Sequence, residues 1–214
     1  MATNLEKIFS GRDRARLFRF FLNNPRDSFL FAEILSKMQI NRASARRELK
    51  FLESVDFLKK VKVHRTIEVP TRKKDAKPKI KKLRGDGWKL NNGFEFLRPF
   101  SQIFVDSNMF DSQNFVSHLR GLGTFKLILL LGFFIHDEES RVDLLIVGNK
   151  LKRTQIENVI HRFEAEIGRE LRYVILEESE FLYRLQMYDR LVRDIISAPH
   201  RAILDKIKTQ WSNL

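Results

Sequence analysis

The chain has 214 residues, 43% of them hydrophobic, with nineteen phenylalanines and no cysteine, so it can bury real cores but can hold neither a disulfide nor a thiolate zinc site. Its formal charge of +13 is lopsided: the first ninety residues carry 24 lysines and arginines against 10 acids, whereas residues 91–214 carry 16 against 17. A polyanion is therefore the expected partner of the first half, and zinc-finger chemistry is excluded. The longest apolar run, Leu127 to Ile135, is far shorter than the roughly 20 residues of a membrane helix, and Met-Ala-Thr-Asn-Leu-Glu lacks a signal-peptide profile. A soluble cytoplasmic protein with no membrane partner, metal or cofactor is expected.

Leu17, Phe18 and Phe21 follow helical spacing after Gly11, and Asn23-Asn24-Pro25 supplies the stop. Phe31, Ile34, Leu35 and Met38 recur at i, i+3, i+4 and i+7 and predict a short second helix ending near Gln39. Asn41 suits the N-cap of a third, with Ala45, Leu49 and Leu52 as its buried stripe and Arg42, Ser44, Arg46, Arg47 and Lys50 on the other face. Three short helices, the third basic at its N-terminal end, fit a helix-turn-helix, in which that end approaches base edges in the major groove.

Phe57 to Val63 and Ile80 to Trp88 have strand character, and a lysine-rich stretch from Pro70 to Pro78 lies between them. The expected element is a β-hairpin wing carrying Arg72, Lys73, Lys74, Lys77, Lys79, Lys81, Lys82 and Arg84, suited to phosphate contacts that position a protein without reading sequence. A basic helical face alone is commonly a solvated surface, and it is the hairpin that shifts the balance toward double-stranded DNA. RNA fits less well, because the aromatics sit at core spacing rather than on a stacking platform.

Leu5 to Phe9, Arg14 to Pro25 and Asn41 to Glu53 together resemble bacterial winged helix-turn-helix transcriptional regulators. The resemblance covers residues 5 to about 66 and implies that Asn41 to Glu53 is a recognition helix. From Gly85 to Phe100, Trp88, Phe94, Phe96, Leu97 and Phe100 lie between glycine, asparagine and proline breakers, and residues 91–123 are expected to form a docked connector between a domain at 1–90 and another at 124–214.

In the second half, Phe125 to Phe134 and Val142 to Val147 are apolar runs, interrupted by the charges of Lys126 and Asp143, of the kind buried strands show. Ile156, Val159, Ile160, Phe163 and Ile167 define an amphipathic helix closed by Gly168, and Leu171 to Leu176 predicts a third strand. Phe181, Leu182 and Leu185, then Leu191, Val192, Ile195 and Ile196, then Ile203 and Ile207 predict terminal helices, with Asp189 and Pro199 near their starts. The fold class is α+β, a winged helix-turn-helix followed by a small mixed-sheet α/β domain.

From Thr124 to Ile196, centred on Ser140 to Gly148 with further likeness at Glu170 to Leu176, this half resembles small nucleotidyltransferase domains. Active members of that family carry Gly-Ser after the first strand and Asp-x-Asp on the second, a carboxylate pair that holds magnesium. This chain has Gly132-Phe133 and Arg141-Val142-Asp143. Arg141 is expected to share a face with Asp143 and pair with it, leaving an inactive remnant made of Gly132, Phe133, Arg141 and Asp143. Asp137, Glu138 and Glu139 read as a solvated turn, and His64, His118, His136, His161 and His200 show no ligand spacing.

The resulting expectation is a homodimeric, non-enzymatic DNA-binding regulator, most simply a repressor, whose second domain serves dimerisation, effector sensing or partner docking. The final helices, with Trp211, are candidates for the dimer contact. The rivals are a magnesium-dependent nucleotidyltransferase using Asp143 and loop acids, and a metal-free nucleotide sensor using Arg141.

Overall fold

A computed structural model describes residues 7–9, 11–69, 79–106, 110–137 and 139–207. The chain is α+β with two open sheets, and it divides into two compact units. The first comprises Met1–Ser107 and Ala165–Arg169, the second Asn108–Glu164 and Glu170–Leu214. Among the described residues no helix is long and apolar enough to cross a membrane.

In the first unit, helix α1 (Arg12–Asn23) leads through β1 (Ser28–Leu30) to α2 (Phe31–Met38) and α3 (Arg42–Ser54). Strands β2 (Leu58–Val69) and β3 (Lys79–Leu90) form a long antiparallel hairpin, and β1 pairs with the base of β3, giving the order β1-β3-β2. All three helices fall where the apolar spacing predicts them. The short β1 was not anticipated, since three residues are too few to show a period. Ala15, Leu17, Phe18, Phe21, Ile34, Met38, Ala45, Leu49 and Leu52 bury the three helices around one core.

The aromatics after the hairpin belong to this same core. Phe94, Leu97 and Phe100 pack against it and Phe104 lies within it, carried by α4 (Leu97–Ser101) and a π-helical turn at Gln102–Asp106. Residues 165–169 complete the unit. Arg16 Nε donates to the Ala165 carbonyl, Arg19 to Glu166, Asn23 to Ile167 and Asn24 to Gly168, at 2.7 to 3.1 Å. Side chains of α1 and its C-terminal cap, Asn24, thereby satisfy carbonyls that a helix end leaves without intrahelical donors. Gly168 sits at φ +80, and a Cβ there would meet the Phe20 backbone at 2.5 Å, so both conformation and closeness require glycine.

The second unit begins with α5 (Ser112–His118) and builds a sheet in the order β6-β5-β4-β7. Strands β4 (Thr124–Leu130) and β5 (Leu144–Asn149) are antiparallel; α6 (Arg153–Ile167) crosses over to β6 (Tyr173–Glu177), which runs parallel to β5. Central strands buried on both faces read as unbroken apolar runs, and Leu127 to Leu130 and Leu144 to Val147 are all fully buried. Leu127, Leu129, Leu145 and Val147 pack with Phe181 and Leu185 of α7 (Glu178–Gln186) and Val192 and Ile195 of α8 (Arg190–Ser197). Asp189 caps α8, accepting from the Val192 amide at 3.1 Å.

In the secondary structure of the second unit, the first apolar run and the terminal segment depart from the sequence expectation. The first apolar run is not a strand to Phe134, because β4 stops at Leu130 and Gly132–Ile135 turns as a 3-10 helix around Gly132 at φ +47. Ile203 does not lie in a terminal helix. Arg201–Asp205 is a strand, β7, paired antiparallel with β4, so the free edge of β4 claims a segment whose spacing also suits a helix. Trp211 lies outside the described residues, as do Leu5 and Glu6.

Candidate nucleic-acid interface

Helices α2 and α3 are joined by three residues, and Gln39 takes the left-handed conformation at φ 49, ψ 42 that turns the chain. Asn41 then caps α3, its side chain accepting from the Ser44 amide at 2.7 Å. The stripe of Ala45, Leu49 and Leu52 faces the core, which leaves Arg42, Arg46, Arg47 and Lys50 exposed on one side of α3. Ser44 is not on that side. It is 7% exposed, and its hydroxyl donates to Asp13 of α1, so it ties two helices together instead of facing outward.

The exposed arginines are not equivalent. The guanidinium carbons of Arg42 and Arg46 lie 5.6 and 5.5 Å from the centre of the Phe31 ring, within cation-π range. Arg47 Nε donates to Oε1 of Glu48 at 2.9 Å, while Arg14 Nε reaches Oε2 of the same carboxylate at 2.7 Å and stacks its guanidinium 3.8 Å from the Phe51 ring centre. Burial pushes the Glu48 carboxyl upward, yet the hydrogen bonds from Arg14 and Arg47 outweigh it and hold the group below its ordinary range. Glu48 and Arg14 were given no role from the sequence, and Phe31 was read only as part of the apolar stripe of the second helix. Glu48 was legible as a lone acid placed on the apolar stripe, three residues after Ala45.

Of the hairpin cations, Lys82 and Arg84 are exposed on β3, opposite Thr66 and His64. Lys79 and Lys81 pair through their backbones with Val69 and Ile67. Arg72, Lys73, Lys74 and Lys77 lie outside the described residues. Lys62 is neutralised by an ion pair with Asp86, and Lys60 Nζ lies 3.1 Å from Glu53. Pairing with β1 stops at Leu30 opposite Gly87, so the eight pairs from Lys62 with Asp86 to Val69 with Lys79 continue as a two-stranded ribbon.

In the second unit the structure brings Gly132, Phe133 and Asp143 together but leaves Arg141 out. Arg141 is exposed, ahead of the first residue of β5, whereas the partner of Asp143 is Arg172. Parallel pairing sets Leu144 beside Tyr173, which brings the preceding residues, Asp143 and Arg172, together as well. Asp143 is fully buried, and both of its oxygens are occupied. Oδ1 accepts from the Phe133 amide at 2.9 Å and Arg172 Nη2 at 2.8 Å; Oδ2 accepts from the Arg172 amide at 2.9 Å and its Nε at 3.0 Å.

Burial raises the Asp143 carboxyl, but the Arg172 guanidinium and the two amides hold it below its ordinary value; the same bond raises Arg172. A Cβ at Gly132 would collide with Asp143 Oδ1, so the turn admits the carboxylate only because residue 132 is glycine. No group of three or more His, Asp or Glu residues suited to a metal ion occurs among the described residues. Asp137 Oδ1 accepts from the Glu139 amide at 3.0 Å, closing a local turn, and Glu138 lies outside the described residues.

Comparison with family models, with curated proteins and with solved structures returns no match to this chain.

Proposed function

We propose that the protein is a cytoplasmic, sequence-specific regulator of the winged helix-turn-helix kind that binds double-stranded DNA through its first unit and acts as a repressor by occupying promoter DNA. The observation that carries this reading is the edge of α3. A capped helix, set by a three-residue turn from its neighbour, exposes Arg42, Arg46, Arg47 and Lys50 within a unit that also extends a lysine-bearing ribbon. Phosphate contacts from the ribbon supply affinity, and the helix supplies sequence readout. The strand order β1-β3-β2, with one short strand ahead of two helices and a long hairpin, supports the winged-helix assignment.

We further propose that the second unit is a nucleotidyltransferase-like scaffold without catalytic function, retained for dimerisation, effector sensing or partner docking. Its support is the state of Asp143. Metal-assisted transfer needs carboxylate oxygens open to a cation, and here both oxygens accept from protein donors.

The test is titration of the full chain with random-sequence duplex at increasing salt. Binding is expected to weaken steeply, with a slope of roughly −0.9 per neutralised phosphate. Replacing Lys73, Lys74, Lys81 and Lys82 by alanine is expected to flatten that slope by about one unit for each phosphate that no longer meets a lysine. Failure to bind duplex at low ionic strength overturns the proposal.

A further inference from the structure

We infer that Arg47 is a pre-set reader of one guanine in the major groove, with Glu48 and Arg14 as its positioning residues; the inference rests on the duplex-binding reading above. Glu48 is 4% exposed, and Arg14 grips one of its oxygens from the α1 side at 2.7 Å. Arg14 is itself laid against the Phe51 ring, so the carboxylate cannot swing away. The other oxygen then anchors Arg47 through Nε, at 2.9 Å.

Using Nε in this way leaves the two terminal nitrogens of Arg47 as an outward fork. The side chain is 73% exposed, and no other bond to it is seen among the described residues. Guanine presents O6 and N7 as adjacent acceptors in the major groove, a pattern that a planar guanidinium fork meets with two N–H groups held in fixed geometry. Torsions frozen before binding are not lost on binding, so the fork engages at a smaller entropic cost than an unanchored arginine. Arg42 and Arg46 share the face of Phe31 but are not anchored by a carboxylate among the described residues, which separates them from Arg47.

The experiment first selects a preferred duplex from a random pool with the full-length protein, then replaces each guanine in turn by 7-deazaguanine, which lacks the N7 acceptor. One position is expected to weaken wild-type binding on the order of tenfold. Arg47→Ala and Glu48→Gln are expected to bind the unmodified site that much more weakly and to show no further loss on substitution at that position. Both are expected to bind random duplex within about threefold of wild type, because the phosphate contacts are untouched.

Arg47 is exposed, so Arg47→Ala is expected to fold whatever happens to Glu48→Gln, and the melting curves of both are recorded alongside. Retention of the full 7-deazaguanine loss by Arg47→Ala overturns the inference, and so does its retention by a folded Glu48→Gln protein. A protein that binds duplex without any guanine dependence overturns this inference alone. One that ignores every duplex overturns the regulator reading with it.

Discussion

Asp143 joins three stretches of chain through one carboxylate: the turn at Phe133, the entry to β5 and the entry to β6. Asp143→Asn keeps the shape but turns an N–H group toward donors, and is expected to cost about 2 kcal/mol. That is less than the roughly 3 to 5 kcal/mol for breaking a fully buried pair, because Arg172 is half exposed. The folded carboxyl lies below its unfolded value, so its stabilisation is complete above about pH 4 and disappears as pH falls through the folded value. Urea midpoints of wild type and Asp143→Asn should therefore differ at neutral pH and converge in acid. A gap that persists unchanged into acid would show that the ion pair is not its source. The sequence marked Asp143 but assigned it the wrong arginine. Arg141 is two residues away along one chain, whereas Arg172 is adjacent across a parallel pair, and spacing along the chain carries no record of pairing between strands.

Helix α3 depends on its first turn, because Arg42 lies in it, Arg46 and Arg47 follow directly in the next turn, and Asn41 caps it by a side chain. Asn41→Ala is expected to cost about 1 kcal/mol in denaturant unfolding and to weaken duplex binding further, as the turn that presents Arg42 frays. An unchanged unfolding midpoint would show that the cap does not hold the helix start. Local signals of this type made the helices legible: a capping residue, a period of three to four, a stop. Elements defined by a distant neighbour were not. β1 is a strand only through Ser28, Phe29 and Leu30 meeting β3, and β7 only because β4 offers it an open edge. The apolar residues Ile203 and Ile207 are spaced as a helix would space them, and tertiary pairing prevailed over that local preference.

At the scale of the whole chain, the charge divides as the units do only approximately, since residues 165–169 return to the first unit. The basic excess nevertheless falls in the first ninety residues, much of it on the hairpin. Its two-stranded portion is eight pairs long, about 25 Å, equivalent to roughly seven base pairs of duplex. Backbone protection by the protein is expected to extend about that far past the groove that α3 is proposed to occupy, and to shorten when residues 66–82 are replaced by a tight turn; identical footprints before and after would show that the ribbon does not follow the duplex. The ribbon also has an internal difficulty. Two-stranded hairpins are marginal in water, and in sequence the segments Thr66 to Val69 and Lys79 to Lys82 carry three lysines and a single acid, Glu68. A run of phosphates would supply the counter-charge that this sequence lacks. By mass action any polyanion that the arm prefers when zipped must also zip it, so heparin and DNA alike should slow proteolysis within the arm, and strong salt should undo that protection.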